Sequence, residues 1–186
     1  MDDEMILDLY WARSESAVSE TANKYGNYCF SISDNILQNN EDAEECVNDT
    51  YLKTWNAIPP RRPSNFRAFL GKIIRNLSLN RYKERKTEKR GGGETALLFS
   101  ELEDCVPSNN YVETEYEANQ TVEEINSFLT SMDNESRIVF VRRYWYADSV
   151  RTIAESFQMS ESKVMSMLFR IRKRLKAYLE KEGVIL

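Results

Sequence analysis

Apolar residues recur along this chain at three- and four-residue intervals, the period of an α-helix with one buried face. Residues 3–13 place Ile6, Leu7 and Tyr10 on one stripe, and residues 16–38 continue it with Tyr25, Tyr28, Cys29, Ile32 and Ile36. Gly26 is a candidate break or bend in that second stretch. Asn39-Asn40 reads as a turn, with Asn40 as the cap of a third helix. The first turn of that helix carries Glu41, Asp42, Glu44 and Glu45, which complement the positive end of its dipole. Its apolar positions run through Ala43, Cys46, Val47, Tyr51, Leu52 and Trp55 to Ile58, where Pro59-Pro60 ends it. Ser64 is positioned to cap a fourth helix with Phe66, Phe69, Leu70, Ile73, Ile74 and Leu77 on its stripe.

The fourth helix runs into the basic stretch Arg81–Arg90, and Gly91-Gly92-Gly93 then opens a linker that also contains Pro107, Ser108, Asn109 and Asn110. Ala96-Leu97-Leu98-Phe99 is the apolar island of this linker, fit to dock on a domain or on a partner. A second helical set follows. It consists of Val112–Leu129, a helix capped by Asp133 and ending near Tyr146, a short Ser149-capped helix over Val150–Phe157, and a Ser160-capped helix to about Glu182. Prolines and glycines are few and alternating β-branched runs are missing. The pattern therefore predicts an all-α protein of two small helical domains, 1–90 and 112–186, joined by a flexible acidic linker, 91–111.

Residues 149–175, SVRTIAESFQMSESKVMSMLFRIRKRL, predict more than helix. A short amphipathic helix buries Ile153 and Ala154, and Gln158-Met159-Ser160 makes a turn. The next helix carries Val164, Leu168, Ile171 and Leu175 on a core stripe. Its opposite face holds Ser162, Lys163, Ser166, Arg170 and Lys173. Small side chains let a helix sink into a major groove, and cations further along meet phosphates. This is helix-turn-helix anatomy; a plain helical hairpin with a solvated face is the alternative.

Composition narrows the chemistry. The 186 residues contain no histidine, which removes Ser-His-Asp and Cys-His nucleophile systems and His-ligated zinc. Cys29, Cys46 and Cys105 are scattered and read as free thiols. No phosphate-binding glycine loop is found, and the acidic cluster 41–49 has no catalytic companion, so no enzyme, metal or cofactor is expected. The N-terminus is acidic, unlike a signal or transit peptide, and no apolar run reaches the roughly 18 residues of a membrane span. A cytoplasmic protein without membrane insertion is expected.

The net charge of −5 hides a segregation. Residues 1–60 carry 3 basic and 12 acidic side chains, and residues 61–90 carry 11 and 2. Residues 91–120 carry no basic and 7 acidic side chains. Lys163 to Lys176 adds six basic residues with no acidic one. Two basic stripes on an acidic chain suit contact with phosphate at two places.

The carboxyl-terminal stretch resembles domain four of bacterial RNA polymerase sigma factors. The resemblance is carried by Arg143-Tyr144, Ile153-Ala154-Glu155, Ser160, Val164 and Arg170-x-Arg172-Lys173-Arg174-Leu175. Asp42-Ala43-Glu44-Glu45-x-Val47-Asn48-Asp49-Thr50-Tyr51-Leu52-x-x-Trp55 is similar to the polymerase-binding helix of sigma domain two. Phe66-Arg67-Ala68-Phe69-Leu70 through Ile74-Arg75-Asn76-Leu77 is similar to its promoter-melting helix. Two domains without the other sigma regions is the layout of the extracytoplasmic-function (ECF) group.

The resemblance implies a transcription initiation factor that binds core RNA polymerase and promoter DNA, recognises two promoter elements and melts the duplex. An anti-sigma factor is a further candidate partner. Asp42, Glu45, Asn48, Asp49 and Leu52 become a polymerase-docking face, with Trp55 in the core. Arg61, Arg62, Asn65, Arg67, Arg75, Asn76, Asn80, Tyr82 and Lys83 fall to the element near the start site. Loop 58–65 is the place for a flipped base, while Phe66 and Phe69 suit the core better than a base platform. The face Ser162, Lys163, Ser166, Arg170 and Lys173 falls to the upstream element. Met165 and Met167 replace the family's usual cations there, Gln158 replaces a turn glycine, and Asn48 and Asn80 replace glutamine and aspartate. The alternative function is a stand-alone helix-turn-helix regulator, which needs a ligand pocket or a dimer face within residues 1–90.

Overall fold

A computed structural model of the chain describes residues 1–88, 98, 100–102 and 115–182, with the side chains of 86–88 and 115–121 excepted. The described elements are eight α-helices: α1 Asp3–Trp11, α2 Ser16–Leu37, α3 Asn40–Ala57, α4 Phe66–Glu88, α5 Glu115–Ser131, α6 Asn134–Tyr144, α7 Val150–Phe157 and α8 Glu161–Lys181. No strand is present among the described residues. The chain divides into two units, Met1–Gly91 and Gly92–Leu186.

In the first unit α2, α3 and α4 pack mutually, and α1 lies on α2. Ile6, Leu7, Tyr10, Cys29, Ile32, Ile36, Ala43, Cys46, Ile58, Phe66, Leu70 and Ile74 are essentially removed from solvent. Each large aliphatic or aromatic side chain among them contributes about 1.5–3 kcal/mol by leaving water. Tyr10, Trp55, Phe66 and Tyr25 form an aromatic cluster with ring centroids 5.8–6.0 Å apart. Buried hydroxyls are paired: Tyr10 with Thr21 at 3.0 Å, and Ser78 with Ser33 at 2.8 Å. Trp55, expected in the core, is half-buried, with the Arg13 guanidinium 5.1 Å above its ring.

Three local expectations are corrected. Helix α2 runs through Gly26 without a break; its backbone is helical there, and a Cβ would meet the Tyr51 hydroxyl at an ordinary contact distance of 3.4 Å. The cap of α3 is Asn39, whose side chain accepts from the Asp42 N–H, and Asn40 is the first helical residue. The cap of α4 is Asn65, accepting from the Ala68 N–H at 2.9 Å, not Ser64.

In the second unit α8 packs against α5, α6 and α7. Val139, Ile153, Val164, Leu168, Ile171, Leu175 and Leu179 are buried, with Phe128, Phe140 and Tyr144 around them. Asp133, Ser149 and Ser160 cap α6, α7 and α8 as expected.

Of the apolar island in the linker only Leu98 is among the described residues, and it is buried. Ser100, Glu101 and Leu102 are helical. Glu101 accepts from Arg143 at 3.2 and 3.4 Å and from the Tyr144 hydroxyl at 2.8 Å, and it lies 3.5 Å from Arg172. This part of the supposed linker thus belongs to the second unit. The remaining flexibility expected of 91–111 falls outside the described residues.

Candidate polymerase and DNA interfaces

The α7–turn–α8 pair is built by its caps and its turn. Gln158 adopts φ 52° and ψ 41°, the left-handed conformation that reverses the chain between the two helices. Ser160 then starts α8 by accepting from the Lys163 N–H. With Val164, Leu168, Ile171 and Leu175 anchored in the core, Ser162, Lys163, Ser166, Arg170 and Lys173 all face solvent. The structure therefore brings the five expected upstream-element residues onto one exposed face. Met167 does not belong to it. It is 8% exposed and packs inward, so only Met165 takes the place of a surface cation.

One flank of this face borders a cavity of about 420 Å³ whose lining includes Asp133, Glu135, Lys163, Met167, Arg170 and Arg174. The Ser136 N–H holds the Asp133 carboxyl below the usual carboxylate range. Behind the face, Arg172 donates to the Tyr144 hydroxyl at 2.7 Å. Burial pushes the Tyr144 phenol above its ordinary range; the Arg172 bond opposes that shift and Glu101 adds to it. Arg172, Tyr144 and Arg143 thus serve the architecture rather than the exposed face.

The basic stretch of the first unit is less open than its charge suggests. Arg62 bridges Glu4 and Asp8 at 2.8 Å each, tying loop 58–65 to α1. Asn65 spends its side chain on the α4 cap. Arg67 lies 4.7 Å above the Tyr28 ring. Arg75 is half-buried, and burial lowers its basicity. Tyr82 is half-buried, while Arg61, Asn76, Asn80 and Lys83 are exposed. Phe66 is 1% exposed and is core; Phe69 is half-buried.

On α3, Glu45, Asn48 and Leu52 are exposed at helical spacing, with Leu52 at 59%, and Asp49 is half-buried. Asp42 turns toward α4, paired with Arg81 at 3.2 Å and with Arg85. Glu45 also pairs with Arg81, at 2.6 Å, which holds its carboxyl below the usual range. Sequence reasoning missed this α3–α4 ion network, although Asp42 and Arg81 stand on predicted polar faces.

Residues 22–88 match the Sigma-70 region 2 family, and residues 123–175 match Sigma-70, region 4. The chain belongs to the sigma-70 family. It is an ECF-type sigma factor, with regions 2 and 4 following one another across residues 89–122. Region 2 coincides with α2–α4, and region 4 spans the part of α5–α8 that holds the helix-turn-helix. No curated protein matches this sigma factor. Among solved structures, one titled "Structure of CnrH in complex with the cytosolic domain of CnrY" is 18% identical, with a TM-score of 0.44. The alignment covers 96% of this chain and 97% of that one. The described residues hold no cluster of candidate metal ligands, and no described helix is long and apolar enough to cross a membrane.

Proposed function

We propose how this sigma factor divides its work among named surfaces. The exposed stripe Glu45, Asn48, Leu52, with Asp49 beside it, docks on core RNA polymerase. Leu52 is the centre of that surface, since a large apolar side chain left 59% exposed gains by association. The α8 face Ser162, Lys163, Ser166, Arg170, Lys173 reads the upstream promoter element. Arg61, Asn76, Asn80 and Lys83, with Arg67 and Arg75 nearer the core, serve the element near the start site. Arg62, Asn65 and Asp42 shape these surfaces through the contacts they make within the unit.

The observation that carries this reading is α8 itself: a complete core stripe on one side, with serines and cations on the other. Cations at the far end of such a helix supply affinity that falls with salt, and residues near its start supply base selectivity. A polypeptide anti-sigma factor is a further candidate partner.

The test is run-off transcription with reconstituted holoenzyme across genomic promoters. Lys163→Ala is expected to cost about 1–3 kcal/mol on the matched promoter and to relax one base position. Lys173→Ala is expected to weaken all sequences alike and to lower the salt slope by about one unit. Unchanged promoter selectivity and salt slope in both variants would refute the assignment of this face. The stand-alone regulator is not favoured, because residues 22–88 match region 2.

A further inference from the structure

The stretch that sequence reading assigns to the linker is pinned to the second unit at one point. Leu98 is buried, and Ser100, Glu101 and Leu102 are helical. Two helices supply the receptor for Glu101. Helix α6 gives Arg143 at 3.2 and 3.4 Å and the Tyr144 hydroxyl at 2.8 Å, and α8 gives Arg172 at 3.5 Å. The Arg143 side chain is fully buried and Glu101 is 15% exposed. A carboxylate held by two guanidiniums and a phenol makes charge-assisted bonds. Releasing it strands a buried cation, so the docked form prevails.

This docking shortens the covalent tether between the two units. Helix α4 ends at Glu88, and the next described residue is Leu98, ten residue steps on. At about 3.5 Å per step, that stretch reaches no further than about 35 Å, whatever its conformation. With Glu101 released, the next fixed point is Glu115 at the start of α5, 27 steps from Glu88. The limit then rises to about 95 Å. On duplex DNA each base pair adds about 3.4 Å to the separation of two sites. One added base pair is about a tenth of the short tether's whole reach and a minor fraction of the long one's. We propose that Glu101 is a positioning residue that sets the spacing this sigma factor accepts between its two promoter elements. It acts through Arg143 and Arg172, which keep residues 98–102 on the second unit and the tether short while both units are on DNA. The inference rests on the reading that the two units hold the two elements at once, and it adds their separation to that reading.

The experiment is run-off transcription with reconstituted holoenzyme on promoters whose spacer is shortened or lengthened by one and two base pairs. The wild type is expected to lose about tenfold when two base pairs are added to its preferred spacer, because a tether that cannot span its sites gives almost no effective concentration. Glu101→Ala is expected to lose about threefold or less for the same addition. On the preferred spacer it is expected to be about fourfold weaker, from the −3/2 power of the tether's lengthening from ten steps to 27. Inserting about 17 Gly and Ser residues after Gly92 gives a chain that keeps Glu101 the same long tether, and it should flatten the profile equally. That insertion leaves the second unit intact, so it tests the tether independently of any loss of stability in Glu101→Ala. Ser149→Ala removes the cap of α7 and weakens the same unit without freeing Glu101, and it should keep the wild-type profile.

A sharp wild-type optimum that persists in Glu101→Ala or in the insertion chain would overturn the proposal. The same flattening in Ser149→Ala would also overturn it, by tracing the effect to the unit's stability. So would rapid hydrogen exchange at residues 100–102 in wild-type holoenzyme, since Glu101 would then be undocked where it is required to act. Failure of the underlying reading looks different: the wild type itself would transcribe every spacer alike.

Discussion

Arg143 is fully buried, and it pairs at 3.2 Å with Glu101, itself only 15% exposed. Glu101→Ala removes from the guanidinium a carboxylate at 3.2 Å, while the Asp148 carbonyl at 3.0 Å stays, and it also removes an acceptor of the Tyr144 hydroxyl. Removing one partner of a buried ion pair costs about 3–5 kcal/mol, chiefly from the charge left behind. The slight exposure of Glu101 places this case near 3 kcal/mol. For a unit of this size each kcal/mol moves the melting temperature by about 4–8 °C, so a fall of at least about 12 °C is expected. Thermal melts of the full chain read the total, and hydrogen exchange of peptides from α6 and α8 localises it. Peptides from residues 1–60 should keep their protection. Replacing both partners, Glu101→Leu with Arg143→Met, should recover more than half of the loss, because the fully buried Arg143 charge is then gone. A shift below about 4 °C in Glu101→Ala, or a double variant no better than the single one, would show that residues 98–102 are not part of this unit's fold.

The turn between α7 and α8 holds Gln158 at φ 52°, so Gln158→Gly is expected to stabilise the second unit by about 1 kcal/mol, seen as a higher urea midpoint at unchanged slope. Burial pushes the Cys29 thiol up to about 12 and raises that of Cys46. Neither should react with a maleimide at pH 8 until the first unit unfolds, as mapped by mass spectrometry. For Asp3, burial raises the carboxyl pKa, but the bonds from Lys24 and Tyr25, each 2.6 Å, outweigh it and leave the group below its usual range. A depressed folded value stabilises above the unfolded pKa of about 4 and is lost as pH falls through the folded one. Acid titration should therefore cost the wild type stability below about pH 4 that Asp3→Asn does not lose. Leu52→Glu should abolish core polymerase binding with helicity unchanged, measured by gel filtration with core enzyme and by circular dichroism.

Most of this fold was legible because helices announce themselves by period. The stripes Ile6-Leu7-Tyr10, Phe66-Leu70-Ile74 and Val164-Leu168-Ile171-Leu175 became core, and Asp133, Ser149 and Ser160 became caps. The α8 face was legible for the same reason, since fixing one stripe in the core fixes the opposite one in solvent. Sequence reasoning set the caps of α3 and α4 one residue off, and the larger contacts it missed join residues distant in the chain. Glu101 lies 42 residues from Arg143, and Asp42 lies 39 from Arg81. No local pattern distinguishes an acid that neutralises a buried guanidinium from one that keeps a linker soluble.

Met165 and Met167 show how period and family resemblance conflict. Resemblance counts both as lost cations, whereas a step of 100° per residue separates their fates by more than half a turn, one inward and one outward. The inward methionine is part of the buried core. The outward one lies a helical turn from Phe169, so the surface lost one cation and holds an apolar pair. Its affinity for phosphate is reduced by about one counterion's worth of salt dependence rather than two, and phosphate contacts, which salt weakens, are common to all promoters because they carry no sequence information. Competition among promoters by this sigma factor should therefore change less with ionic strength than its total occupancy does, a difference measurable in one salt titration on two promoters.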